Sequence, residues 1–137
     1  MPYIMGNTPA LTLPSGTLSY SLDGATQAHD SFGNTGTLNT FDLGIDLGTQ
    51  TYSLDFHLTM PFTGNYTGNT TGGTLSTALP EGFSFADTVQ NMSDCGSGCP
   101  LDVQGFMAGS NAEQAGVVYR ILNMNSEPIT GAAALSQ

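Results

Sequence analysis

The side chains whose types and spacing can do chemistry sit in separate parts of this sequence. Cys95 and Cys99, the only cysteines, bracket Gly-Ser-Gly; Asp42, Asp46, Asp55 and His57 crowd into "TFDLGIDLGTQTYSLDFHLTM", residues 40–60; Arg120 is the only lysine or arginine. A cysteine pair can ligate a metal, cycle as a redox couple or form a disulfide. Structural zinc normally takes four ligands, and these cysteines with His29 and His57 lack the usual CxxC spacing. A thioredoxin-type couple needs CxxC at a helix start in an α/β context. The pair reads instead as a staple across the mouth of a hairpin, worth about 2 kcal/mol for so short a loop. That staple implies an oxidising compartment.

The acidic and histidine group sits on a period of two. Phe41, Leu43, Ile45 and Leu47 alternate with Asp42, Gly44 and Asp46; after a turn-sized gap, Tyr52, Leu54, Phe56, Leu58 and Met60 alternate with Ser53, Asp55, His57 and Thr59. This is the pattern of a half-buried antiparallel hairpin. A turn centred on Thr49-Gln50 places Leu47 opposite Tyr52, Ile45 opposite Leu54, Leu43 opposite Phe56, Phe41 opposite Leu58 and Asp42 opposite His57. Asp46 and Asp55 then share the polar face. A carboxylate beside an imidazole favours its charged form and suits an acid–base pair, a metal ligand or a pH switch. The blander reading is an exposed cross-strand pair worth about 0.2–1 kcal/mol. Calcium loops are curved and glycine-containing, unlike straight strand-borne aspartates. Arg120 is expected to pair with one of the many carboxylates, or to grip an anionic ligand bidentately. "HDS" at 29–31 has the letters of a triad but not its through-space geometry, and neither GxSxG nor HExxH occurs. The expectation is therefore a non-enzyme without cofactor or metal, whose weak polar site comprises Asp42, Asp46, Asp55, His57 and Arg120.

Other strands are expected at "TLSYSL" (17–22), "FSFADTV" (83–89), "VVYRIL" (117–122) and "PITGAAAL" (128–135), with Gly/Thr-rich residues 62–82 as short edge strands and loops. One short helical turn is expected near 111–115, where Ser110 and Glu113 form a capping box and Gly116 a stop. Turn signals at hairpin spacing indicate about eight strands in an all-β, antiparallel up-and-down β-barrel. Residues 1–15 read as a flexible lead and 16–137 as one barrel domain. Candidate recognition loops are Asn65–Gly73 and Gly24–Asn34, since loops carry most recognition.

Composition excludes more than it selects. With one lysine or arginine against eleven carboxylates the formal charge is −10, so nucleic acid and anionic membranes are not expected partners. Charged residues are only 9% and glycines number 18, a composition that favours turns and strands over helices. No stretch reaches the ~20 apolar residues of a spanning helix. The N-terminus lacks signal-peptide character, and the chain reads as an excised domain.

Residues 95–121, "CGSGCPLDVQGFMAGSNAEQAGVVYRI", and the later "ITGAAAL" resemble the C-terminal region of FecR-domain-containing proteobacterial proteins. They are similar, more distantly, to the small barrels of transferrin-binding-protein-B-like surface lipoproteins. The matching elements are CxxxC, the run Gly105 to Glu113, Ala115 to Ile121 and Gly131 to Ala134; "DSFGNTGTL" at 30–38 fits the upstream pattern loosely. Ser110 stands where family members often have Pro, and Leu135 where they have Phe. The resemblance implies an eight-stranded antiparallel barrel exported beyond the cytoplasm of a Gram-negative bacterium, attached to a FecR-like or other anchor.

The leading expectation is a non-enzymatic extracytoplasmic binding module, at the cell surface or in the periplasm, linked through that resemblance to iron acquisition and meeting a protein or surface component through its loops. One alternative is a carrier with Tyr52, Met60, Met107 and Tyr119 around haem or an apolar molecule, because an eight-stranded barrel has room for side chains or one small ligand. The other is an integral outer-membrane barrel, which needs an outward apolar band and aromatic girdles.

Overall fold

The computed structural model describes residues 17–46, 48–61, 64–75, 82–91, 95, 98–108, 112–122 and 128–137. Among them the structure is entirely β: β1 (Thr17–Ala25), β2 (Ala28–His29), β3 (Thr35–Asp46), β4 (Thr51–Met60), β5 (Gly64–Thr74), β6 (Phe83–Val89), β7 (Cys99–Ala108), β8 (Gln114–Leu122) and β9 (Pro128–Ser136). All pairings are antiparallel, in the order β5-β4-β3-β1-β9-β8-β7-β6. Short β2 bridges β3 and β9. It fills the space left where β1 stops pairing with β3 at Tyr20 and pairs with β9 from Ser21 onward.

Alternation determines which face each residue takes. In β4 the buried residues are Tyr52, Leu54, Phe56, Leu58 and Met60, and in β3 Leu38, Phe41, Leu43 and Ile45. The register differs from the expected one by two residues: Phe41 faces Phe56, Leu43 faces Leu54 and Ile45 faces Tyr52. The hairpin closes at Asp46↔Thr51, a wider turn than the two-residue one expected. The Asp46 carboxylate holds it by accepting the amides of Gly48 (2.9 Å) and Thr49 (3.2 Å), and Gln50 adopts a left-handed φ of 55°. A slip of two keeps every side chain on its own face, so the two faces are as expected while the partners are not.

The core is built around aromatic rings. Phe41, Phe56 and Tyr119 form one cluster, with centroids 5.9 Å apart for Phe41–Phe56 and 5.5 Å for Phe56–Tyr119, both edge-to-face. Tyr52 stacks on Phe85 at 3.9 Å. The large rings find room beside glycines: Tyr52 lies opposite Gly73, Phe83 opposite Gly105 and Tyr119 opposite Gly131. A Cβ at any of these glycines would overlap the facing ring, so absence of a side chain on one strand creates the seat for a ring on the next.

Two sequence expectations are corrected. Among the described residues there is no helix, and the turn expected near 111–115 gives way to strand from Gln114. Ala112 takes a left-handed φ of 56°, and its carbonyl accepts the Tyr20 hydroxyl (2.6 Å) and the Gln137 side-chain amide (2.9 Å). Ser110 of the expected capping box lies outside the described residues. Asn65–Gly73, expected as a loop tip, lies within β5 and is laddered to β4. The N-terminal segment 1–15 and Leu47 also lie outside the described residues.

The edge strands β5 and β6 face each other. Among the described residues, the backbone pairing between their two sides is one isolated bridge, Thr67↔Gln90, with the Thr67 amide donating to Gln90 (3.0 Å) and the Gln90 amide to Thr67 (2.7 Å).

Candidate functional site

The residues expected to form one polar site occupy separate places. Asp42 lies opposite Asp55, His57 opposite Thr40, and Asp46 opposite Thr51; the expected Asp42–His57 pair is not formed, because the wider turn moves the register by two. Asp46 is occupied by the turn amides. Arg120 lies on β8, separated from β3 by β9 and β1. It pairs with Asp102 on β7 at 3.2 Å, both side chains half-exposed, and lines a groove of about 350 Å³ with Ser84, Gln104, Val118 and Thr130. Cys95 and Cys99 form the expected disulfide, at the β6–β7 connection where Cys99 faces Val89.

What the register does assemble is a polar surface running from β3 across β4 and β5 to the line between β5 and β6. Asp55 faces Asp42 on one side and Asn69 on the other. Two grooves share Asp55 and Asn69. One, of about 250 Å³, is lined by Ser19, Asp42, Ser53 and Thr71. The other, of about 610 Å³, is lined by Thr40, His57, Thr67, Gly68, Thr88 and Gln90. His57 is half-buried, and its Nε2 is shielded from solvent without a hydrogen-bond partner. Directly opposed carboxylates repel, so this surface has a standing preference for a cation or a hydrogen-bond donor. Among the described residues no group of three or more His, Cys, Asp or Glu side chains has metal-binding geometry.

Beneath the groove, side chains stitch β5 to β6. Asp87 occupies a position in the apolar alternation of Phe83, Phe85 and Val89, half-buried rather than solvated. It accepts the Tyr52 hydroxyl (3.0 Å), the Thr70 hydroxyl (2.9 Å) and the Thr88 amide (2.7 Å). Burial, then the charge of Asp87 and the hydrogen bond to it, push the Tyr52 phenol well above its ordinary value, so it stays protonated as the donor. Further along, buried Asn91 donates its side-chain amide to the Asn65 carbonyl (2.8 Å). Asp87 and Asn91 are absent from the sequence expectations. The readable signal for Asp87 is a carboxylate where the period of two demands an apolar residue.

The second orphan polar atom is the hydroxyl of Tyr119, inside the core over Gly131. Burial raises its pKa, so it remains a neutral phenol. No protein-family model matches the chain, and no curated protein matches it.

Proposed function

We propose that the chain is a closed eight-stranded barrel, β2 being an accessory to the ring, and that it works as a non-enzymatic extracytoplasmic binding module. The recognition surface is the polar exterior over β3, β4 and β5, centred on Asp55, His57 and Asn69. The observation that carries this reading is the interior. Among the described residues the interior is occupied by the chain's own side chains, including the Phe41–Phe56–Tyr119 cluster and the Tyr52–Phe85 stack, with rings seated over inward glycines such as Gly73, Gly105 and Gly131. A filled small barrel leaves its exterior and its ends for binding. The partner suited to this surface is polar, rich in hydrogen-bond donors and basic where it meets Asp42 and Asp55. Closure is supported by Thr67↔Gln90, which joins the two ends of the strand order.

The carrier reading places a ligand among Tyr52, Met60, Met107 and Tyr119, all of which are buried in the packed core. The outer-membrane reading needs an apolar exterior, whereas Asp42, Ser53, Asp55, Asn69, Gln104 and Arg120 face outward. The disulfide supports an oxidising compartment. Attachment to a FecR-like or other anchored protein, and with it a link to iron acquisition, rests on the resemblance of residues 95–134.

Intact-mass spectrometry of the purified protein tests the proposal, native and then denatured, with and without reductant. The expected result is the bare chain mass less the hydrogens of one disulfide, regained on reduction. A bound mass that survives native spraying and is lost on denaturation favours the carrier.

A further inference from the structure

The line where β5 meets β6 is built differently from every other strand boundary, and the disulfide sits beside it. Cys99 opens β7 opposite Val89, and Gln90, the next residue along from Val89, makes the backbone bridge to Thr67. Asn91 follows, buried, with its side chain on the Asn65 carbonyl of β5. The Asn91 carbonyl accepts the Cys95 amide (3.1 Å), and the Cys95 carbonyl accepts the Gly98 amide. Thus Cys95 is tied to β7 through sulfur and to Asn91 through its amide, and the two residues that cross to β5 are backed by that cross-link. Both cysteines are buried, 2% and 1% exposed.

We infer that the Cys95–Cys99 disulfide is a latch on the β5–β6 seam, and that its reduction by an external dithiol opens the seam while the rest of the sheet stays folded. The chemistry is thiol–disulfide exchange. A thiolate of the dithiol attacks one protein sulfur and the Cys95–Cys99 bond breaks. The mixed disulfide is then resolved by the reductant's second thiol. Two electrons pass to the protein, two protons from the dithiol end on Cys95 and Cys99, and the reductant leaves as its own disulfide. Because the sulfurs are buried, the reductant reaches them only when this region opens. Once the bond is cut, the covalent tie of Cys95 to β7 is gone, the hydrogen bond from the Gly98 amide is left in its place, and the backing of Asn91 is weakened. Reduction and opening therefore favour each other.

Among the described residues, the other seam contacts, Asp87 with Tyr52 and Thr70 and the stack of Tyr52 on Phe85, use side chains alone. The β6–β7 ladder runs unbroken from Phe83↔Gly105 to Val89↔Cys99, so β6 keeps its place when the seam parts. An opened seam presents two strand edges with free backbone donors and acceptors, the template to which an extended segment of another chain adds. Opening requires no particular occupant of the outer groove and stands apart from the identity of any partner.

The test is residue-resolved amide hydrogen exchange on the full chain, oxidised and then reduced with dithiothreitol. The Thr67 and Gln90 amides, which make the bridge, are expected to exchange about tenfold faster or more after reduction, with β8 and β9 unchanged. Asn91→Ala, with the disulfide intact, is expected to move the same two amides in the same direction by less. A Cys95→Ser/Cys99→Ser variant is expected to exchange like the reduced protein, and Asn91→Ala reports on the same seam if that variant does not fold. Unchanged exchange at Thr67 and Gln90 on reduction overturns the latch. So does a uniform rise across all strands, or a disulfide reduced only as fast as the whole protein unfolds, since either makes it a global staple.

Discussion

The β3–β4 hairpin and the β5–β6 seam are both antiparallel boundaries, yet they are held by different means. The hairpin has a ladder from Thr37↔Thr59 to Asp46↔Thr51, and beneath it lie Phe41, Leu43, Ile45, Leu54 and Phe56. The seam has one backbone bridge and depends on Asp87, Asn91 and the neighbouring disulfide. Among the described residues the hairpin is therefore held by a backbone ladder, and the seam by one bridge, specific polar side chains and the Tyr52–Phe85 stack. The two sides should fail separately.

Phe56→Ala is the largest break available on the hairpin side. It removes a ring packed edge-to-face on both Phe41 and Tyr119 and should cost about 3–5 kcal/mol in denaturant unfolding. The loss should be global, with exchange rising in all strands. Asp87→Ala strikes the seam. It removes the acceptor of the Thr70 hydroxyl and the nearer of the two acceptors of the Tyr52 hydroxyl, the other being the Ala86 carbonyl at 3.3 Å, for a loss of about 1–3 kcal/mol. Here exchange at Thr67 and Gln90 should rise more than in the hairpin; equal rises would erase the contrast between the regions. Asp55→Asn sharpens the comparison from the other direction. Relieving the Asp42–Asp55 repulsion should stabilise the hairpin by about 0.2–1 kcal/mol at low salt, an effect that added salt diminishes.

The smallest effect is expected outside both regions, in the turn between β2 and β3. Slight burial acts against the Asp30 charge. Hydrogen bonds from the Asn34 side chain and from backbone amides, those of Asn34 and Phe32 among them, outweigh it, so the carboxyl is held below its ordinary value. Because the folded value lies lower, this contribution is full above the unfolded carboxylate value of about 3.9 and is lost as pH falls through the folded one. Amide shifts of Phe32 and Asn34 should report an acid transition that Asp30→Asn abolishes, with the hairpin and seam amides unmoved.

Sequence and structure agree where the physics is periodic. Side-chain alternation separated Phe41, Leu43 and Ile45 from Asp42 and Asp46, and the cysteine spacing indicated a staple. Register was less legible. It depended on how the Asp46 carboxylate organises the turn, and a slip of two leaves the same apolar faces, so alternation alone does not choose between registers. That slip separated His57 from Asp42 and brought Asp42 against Asp55. The helical turn expected before β8 is not seen among the described residues, where Ala112 takes a left-handed φ and its carbonyl is bound by Tyr20 and Gln137, far away in the chain. Asp87 and Asn91 went unread because their roles exist only once β5 lies beside β6.

If the barrel is closed as proposed, the two ends of the strand order meet through Thr67 and Gln90. Scalar coupling across hydrogen bonds, measured by NMR on isotope-labelled oxidised protein, tests it most directly. Couplings are expected from the Thr67 amide nitrogen to the Gln90 carbonyl carbon and from the Gln90 amide nitrogen to the Thr67 carbonyl carbon. If both are absent and both amides exchange as fast as those of an exposed edge, the sheet is open and the account is contradicted.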